Sequence, residues 1–150
     1  MSQPLVGILM GSESDREAMD GAREVLQDLG IECEVRVMSA HRDPDAVAEY
    51  AKTAGSRGIR VIVAGAGMAA HLAGAVASRT VLPVIGVPLA SGTLGGLDSL
   101  LSTVMMPKGV PVATVAVGPH GARNAGFLAA EILALSDPAL ASRLRESRGI

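Results

Sequence analysis

Five times along this chain a short, almost uninterrupted apolar run gives way to a segment whose apolar residues recur at helical spacing. The runs are "LVGILM" (5–10), "ECEVRVM" (32–38), "RVIVAGAG" (60–67), "LPVIGVPL" (82–89) and "VPVATVAVG" (110–118). A strand that is apolar on both faces must be covered on both faces. Strands alternating with helices therefore predict a parallel sheet between two helical layers. Right-handed crossovers then favour a three-layer αβα, doubly wound sheet of five strands in the order 2-1-3-4-5. The helical segments are "SESDREAMDGAREVLQDLG", "DPDAVAEYAKTAGSRG", "AAHLAGAVASRT", "LGGLDSLLSTVMM" and "ARNAGFLAAEILAL", and "SDPALASRLRESRGI" reads as a C-terminal helical tail. Ala18, Ala22, Val25, Leu26 and Leu29 mark the buried stripe of the first helix, which Gly30 stops. Asp43 with Pro44 opens the second. No linker or repeat interrupts the pattern, so residues 1–150 are expected to form a single domain.

Composition narrows what such a fold can do. With one Phe, one Tyr and no Trp, the core must come from Val, Ile, Leu, Ala and Met, and 18 glycines allow close backbone approach. The chain lacks the aromatic platforms on which single-stranded nucleic acid stacks. Its net charge of −2 provides no basic field for a duplex. The single Cys33 excludes an internal disulfide and a cysteine-based zinc site. No charged-then-apolar leader opens the sequence and no apolar run is long enough to span a bilayer, so a cytoplasmic protein that binds neither membrane nor nucleic acid is expected.

In the expected topology ligands bind outside the carboxyl ends of the strands, where the order reverses between strands 1 and 3. The three loops flanking that crevice read "GSESD" (Gly11 to Asp15), "SAHR" (Ser39 to Arg42) and "GAGMAAHLAG" (65–74). They contain two of the three histidines. Gly11, Ser12 and Ser14 offer backbone N–H groups and hydroxyls suited to a carboxylate or phosphate. Asp15 would repel an anion and is better placed to accept from sugar hydroxyls. Simple helix capping by Ser12 or Ser14, with Asp15 complementing the dipole, explains the same residues. Glycine and alanine around His71 leave room for a flat ligand. The loop is a weak match to the GxGxxA dinucleotide fingerprint and lacks its downstream acid, and no HExxH, nucleophile elbow or Walker loop occurs. Two histidines without nearby carboxylates suit acid–base work better than a metal.

The conjunction of "MGSESD", "SAHRDPD" and "AGAGMAAHLAG" with "LPVIGVP", "GLDSLLSTVMMPKGVPVATVAVG" and "NAGFLAAEIL" resembles the class I N5-carboxyaminoimidazole ribonucleotide mutases over essentially the whole length. The resemblance implies a flavodoxin-like fold and a cofactor-independent isomerase of purine biosynthesis. A carboxylate migrates from the exocyclic N5 to C4 of an imidazole, lost as CO2 and recaptured by the ring carbon. His41 would shuttle the proton, a role suited to a near-neutral imidazole, and His71 would line the same pocket. Arg42 with Ser39 would hold the ribose phosphate, Asp15 the ribose hydroxyls, and Ala40 would be a further substrate-binding residue. Gly11, Ser12 and Ser14, with Gly67, Met68, Ala69, Ala70 and Leu72, would complete the substrate site around the migrating carboxylate. The family usually carries Gly, Pro and Gln where this chain has Met68, Ala73 and Met105. Direct carboxylation of aminoimidazole ribonucleotide by CO2 shares most of these residues but lacks the AAHL histidine. A non-catalytic flavodoxin-like nucleotide-binding module is the remaining alternative.

The fourth and fifth helical segments carry more apolar residues than one sheet-facing stripe requires. Leu97, Leu100, Leu101, Val104, Met105 and Met106, and likewise Ala129, Ala130, Ile132 and Leu133, are spread around their helices. Self-association is expected unless the tail covers them. The resemblance implies a homo-octamer, with an ATP-dependent N5-carboxyaminoimidazole ribonucleotide synthase as the functional partner supplying substrate.

Overall fold

The computed structural model describes residues 2–150. Its sheet is parallel throughout and ordered β2-β1-β3-β4-β5, with β1 at Val6–Met10, β2 at Cys33–Val37, β3 at Val61–Gly67, β4 at Val84–Leu89 and β5 at Ala113–Thr114. Alternate residues of the inner strands feed two cores. Val6, Ile8 and Met10 of β1, with Val61, Val63, Ile85 and Val87, face α1 (Arg16–Asp28) and α5 (Pro119–Ala134). Leu9, Ile62, Ala64 and Val84 face α2 (Pro44–Ala54) and α3 (Leu72–Ala77) on the other side. This is the expected three-layer, flavodoxin-like arrangement. Every strand ends on the same edge, where the chain turns through the loops of interest.

Local chemistry sets the boundaries. Ser12 caps a single 3-10 turn, Glu13–Asp15, that leads into α1. Gly30, at φ +71°, ends that helix in the left-handed conformation, its N–H bonded to Gln27 O at 2.9 Å. Asp43 accepts from Ala46 N–H and Pro44 takes the first turn of α2, as expected. The expected strand over 110–118 is a correction: only Ala113 and Thr114 form β5. Pro111 has no N–H to donate. Beyond Thr114 the chain follows β4 through single bonds, Val115 N–H to Gly86 O and Gly118 N–H to Pro88 O.

At the opposite edge, β2 has one neighbour strand. It is fastened from the side by a polar knot in which the buried Tyr50 hydroxyl donates to Glu34 at 2.8 Å and Arg57 pairs with the same carboxylate at 2.9 Å. Burial pushes the Glu34 carboxyl up, but Tyr50 and Arg57 outweigh it and hold it below the usual carboxylate range.

The expected exposure of apolar surface splits between the two helices. On α5, Ala129 and Ala130 are fully buried and Leu133 nearly so, because α1 packs on one side and α6 (Pro138–Arg148) on the other, through Leu140 and Leu144. The expectation of uncovered apolar residues there is overturned for these three, while Ile132 stays half-buried. Helix α4 (Leu97–Val104) is the reverse of a normal surface helix. Its inward residues are Ser99 and Thr103, both buried. Leu97, Leu101, Val104 and, just past its end, Met105 remain 56%, 51%, 42% and 77% exposed. Among the described residues, no helix is long and apolar enough to cross a membrane.

Candidate active site

The loops after β1, β2 and β3 enclose a crevice of about 500 Å³. The first is held to its neighbour by Gly11 N–H donating to Gly65 O at 3.2 Å. Ser12 Oγ accepts the Ser14 N–H at 3.3 Å and lies 2.9 Å from Ser14 Oγ, so capping and a hydroxyl pair facing the crevice coexist. Asp15 follows on the same wall. Burial raises its carboxyl above the ordinary aspartate range, opposed by a backbone hydrogen bond from Ser12.

The second loop is a closed turn. Asp43 N–H donates to Ser39 O at 2.9 Å, and Arg42 N–H donates to Ser39 Oγ at 3.2 Å. The turn fixes its own backbone, leaving Ala40 on the crevice wall and the His41 and Arg42 side chains exposed at its tip. The Ser39 hydroxyl keeps its proton for another acceptor.

The third loop is the tightest. A Cβ on Gly67 would lie 1.8 Å from Ser91 Oγ and 2.9 Å from Ser91 Cβ, so any larger residue there would have to displace Ser91. Met68 sits at φ +53°, the one non-glycine residue among those described with positive φ. That conformation accounts for the glycine usual at this position. Ala69 to His71 stay out of α3, which begins at Leu72 rather than at Ala69 as the sequence pattern suggests. The Ala70 N–H donates to Ser102 Oγ at 2.9 Å, and His71 N–H donates to Ala69 O at 2.9 Å.

These loops bring the two histidines together. His41 Nε2 lies 2.7 Å from His71 Nδ1, with the rings edge to face at 83°. Such a bond needs a proton on one of the facing nitrogens and a lone pair on the other. The pair therefore holds one shared proton between residues 30 positions apart.

Of the residues singled out in the sequence, all but Ala70 line the crevice. Ala70 is 2% exposed, behind the wall, and its amide is already engaged. Ala66 and Ser91 line the crevice without having been anticipated. Ser91 belongs to the Gly- and Ser-rich stretch after β4, whose composition is a turn signal. The expected switch point directs attention to strands 1 to 3 instead. No cluster of three or more His, Cys, Asp or Glu suited to a metal ion occurs among the described residues.

Comparison with known proteins gives a consistent picture. A family model described as AIR carboxylase matches residues 5–149. The chain is 59% identical over 146 residues to the N5-carboxyaminoimidazole ribonucleotide mutase of Bacillus subtilis, covering 97% of this chain and 90% of that protein. It is 56% identical over 140 residues to the bifunctional purine synthesis protein purC/E of Dictyostelium discoideum, covering 93% of this chain and 14% of that protein. Among solved structures it resembles Treponema denticola PurE, with a TM-score of 0.88 and 30% identity over 98% of this chain and 90% of that one.

Proposed function

The chain belongs to the AIR carboxylase family, and we propose that its histidine-paired crevice moves a carboxylate from N5 to C4 of N5-carboxyaminoimidazole ribonucleotide. It is a mutase of purine biosynthesis, yielding 4-carboxy-5-aminoimidazole ribonucleotide. The observation that carries the reading of the site is the 2.7 Å bond between His41 and His71. Isomerisation requires one proton to leave C4 and one to arrive at the exocyclic nitrogen, with none gained or lost overall. Cleavage of the N–carboxylate bond as CO2 leaves its electron pair on nitrogen, which His41 protonates. The ring carbon then forms a bond to CO2, and His41 removes the C4 proton to restore aromaticity. His71 steadies His41 through both states by accepting from or donating to its Nε2. Retention of CO2 beside the carbon is a proximity effect.

Arg42 and the free Ser39 proton hold the phosphate through charge-assisted hydrogen bonds. Asp15 accepts from the ribose hydroxyls, donors added to the backbone hydrogen bond that its partly buried carboxyl takes from Ser12. Ser12, Ser14, Gly11 and the third loop hold the carboxylate. The assignment extends over residues 1–150 as one mutase domain in the cytoplasm. It takes a nucleotide from an ATP-dependent N5-carboxyaminoimidazole ribonucleotide synthase. The purC/E relative supports physical linkage of purine-synthesis domains. The exposed apolar face of α4 supports self-association, for which a homo-octamer is the form the family resemblance implies. Purified protein incubated with N5-carboxyaminoimidazole ribonucleotide should form the carbon-carboxylated product. Aminoimidazole ribonucleotide plus bicarbonate should do so poorly, and the reverse preference would overturn the assignment.

A further inference from the structure

We infer that Ser102, on α4 and outside the crevice, is a positioning residue that holds the third loop in its working shape; this rests on the mutase reading above. Its Oγ accepts the Ala70 N–H at 2.9 Å and lies 3.2 Å from Met68 O and 2.8 Å from Asp98 O. The hydroxyl has a single proton, shared among the helix carbonyls of Asp98 and, at 3.3 Å, Ser99 and the loop carbonyl of Met68. One side chain thereby grips both ends of the Met68–Ala70 turn. That turn contains the only non-glycine left-handed residue described, a conformation that survives only where its surroundings impose it. Ala70 is buried, so water does not readily replace the hydroxyl.

The consequence reaches the chemistry in two ways. With the Ala70 amide bonded to Ser102 and the His71 amide to Ala69 O, the Met68 and Ala69 amides are the ones left to meet a carboxylate. The turn also leads directly into His71, whose ring must stay 2.7 Å from His41. If Ser102 is lost, Met68 can relax to negative φ, carrying the Ala69 amide and the His71 ring out of register. Displacements of about 1 Å in such sites cost on the order of a hundredfold in rate. The phosphate and ribose contacts belong to the other two loops and stay in place.

Steady-state kinetics of Ser102→Ala and Ser102→Thr test this, with thermal unfolding of each as the folding control. Ser102→Ala should lower kcat at least about tenfold and leave KM within about threefold. Ser102→Thr keeps the hydroxyl and should recover most of kcat. If Ser102→Ala does not fold, Ser102→Cys retains a side chain of similar shape with a weaker acceptor and should show the same split. A folded alanine or cysteine variant with wild-type kcat would overturn the inference. Equal losses in kcat and KM that threonine fails to rescue would also do so. A wild-type protein without mutase activity would instead overturn the reading beneath it.

Discussion

Replacing Leu101 with Asp should abolish the self-association proposed for the α4 face. Leu97, Leu101, Val104 and Met105 leave roughly half or more of each side chain in water. Complete burial of such a side chain is worth about 1.5–3 kcal/mol. Covering the exposed parts of all four would thus contribute on the order of 3–6 kcal/mol per subunit. Leu101 accounts for about 1 kcal/mol of this, and an unpaired carboxylate buried in its place costs several more. A loss of about 3–5 kcal/mol weakens association by at least a hundredfold. The substitution leaves the fold intact, because the inward side of α4 is Ser99 and Thr103 rather than Leu101. Sedimentation velocity at low micromolar concentration should find the wild type at a multiple of 15.2 kDa and the variant near 15.2 kDa itself. A wild-type monomer, or a variant that assembles as tightly as its parent, would refute the argument from α4.

Three further outcomes follow from the crevice. His41→Asn should reduce kcat by at least about a hundredfold while product binding, followed by calorimetry, largely survives; near-normal turnover would remove His41 from the proton path. Arg42→Ala should raise KM by about ten- to a hundredfold for the nucleotide, the range of a charged hydrogen bond, and equal weakening of a dephosphorylated nucleoside would show that Arg42 does not hold the phosphate. Asp15 has a raised pKa in the fold, so it contributes stability at acid pH that is lost as pH rises through its folded value, which lies above the ordinary aspartate value. Asp15→Asn should therefore melt above the wild type at neutral pH, lose that advantage on acidification and bind nucleotide less well; a variant less stable than wild type at pH 7 would contradict this.

The inner strands were legible because β1, β3 and β4 are buried on both faces, and burial leaves a continuous apolar run in the sequence. Length at the edge was not legible. How far β5 extends depends on Pro111 and on which carbonyls of β4 remain available. The loops after β1 to β3 were readable as a site from the topology together with the scarcity of histidine. The sequence does not reveal that Ala70 turns its amide away from the crevice, because the acceptor lies 32 residues on. Nothing in the sequence marks Ser91 either, because its place beside Gly67, 24 positions earlier, is made by the fold. Helix α4 shows the limit of periodicity: its excess of apolar residues, and with it exposed apolar surface, was visible, but not that the residues facing inward are the polar Ser99 and Thr103. Hydrophobic spacing identifies a face without saying what covers it.

The two histidines hang from strands of unequal security. His71 follows β3, which is bonded to a neighbour on each side, whereas His41 follows β2, bonded to β1 alone and braced by Tyr50, Glu34 and Arg57. Amide exchange with solvent is expected to begin at such a margin and reach the interior strands last. An opening that frees β2 separates the histidine pair but leaves β1, β3 and β4 standing. Warming should then silence the enzyme before it unfolds it, and the gap between those two temperatures is a measure of how well a tyrosine, a glutamate and an arginine hold one border strand.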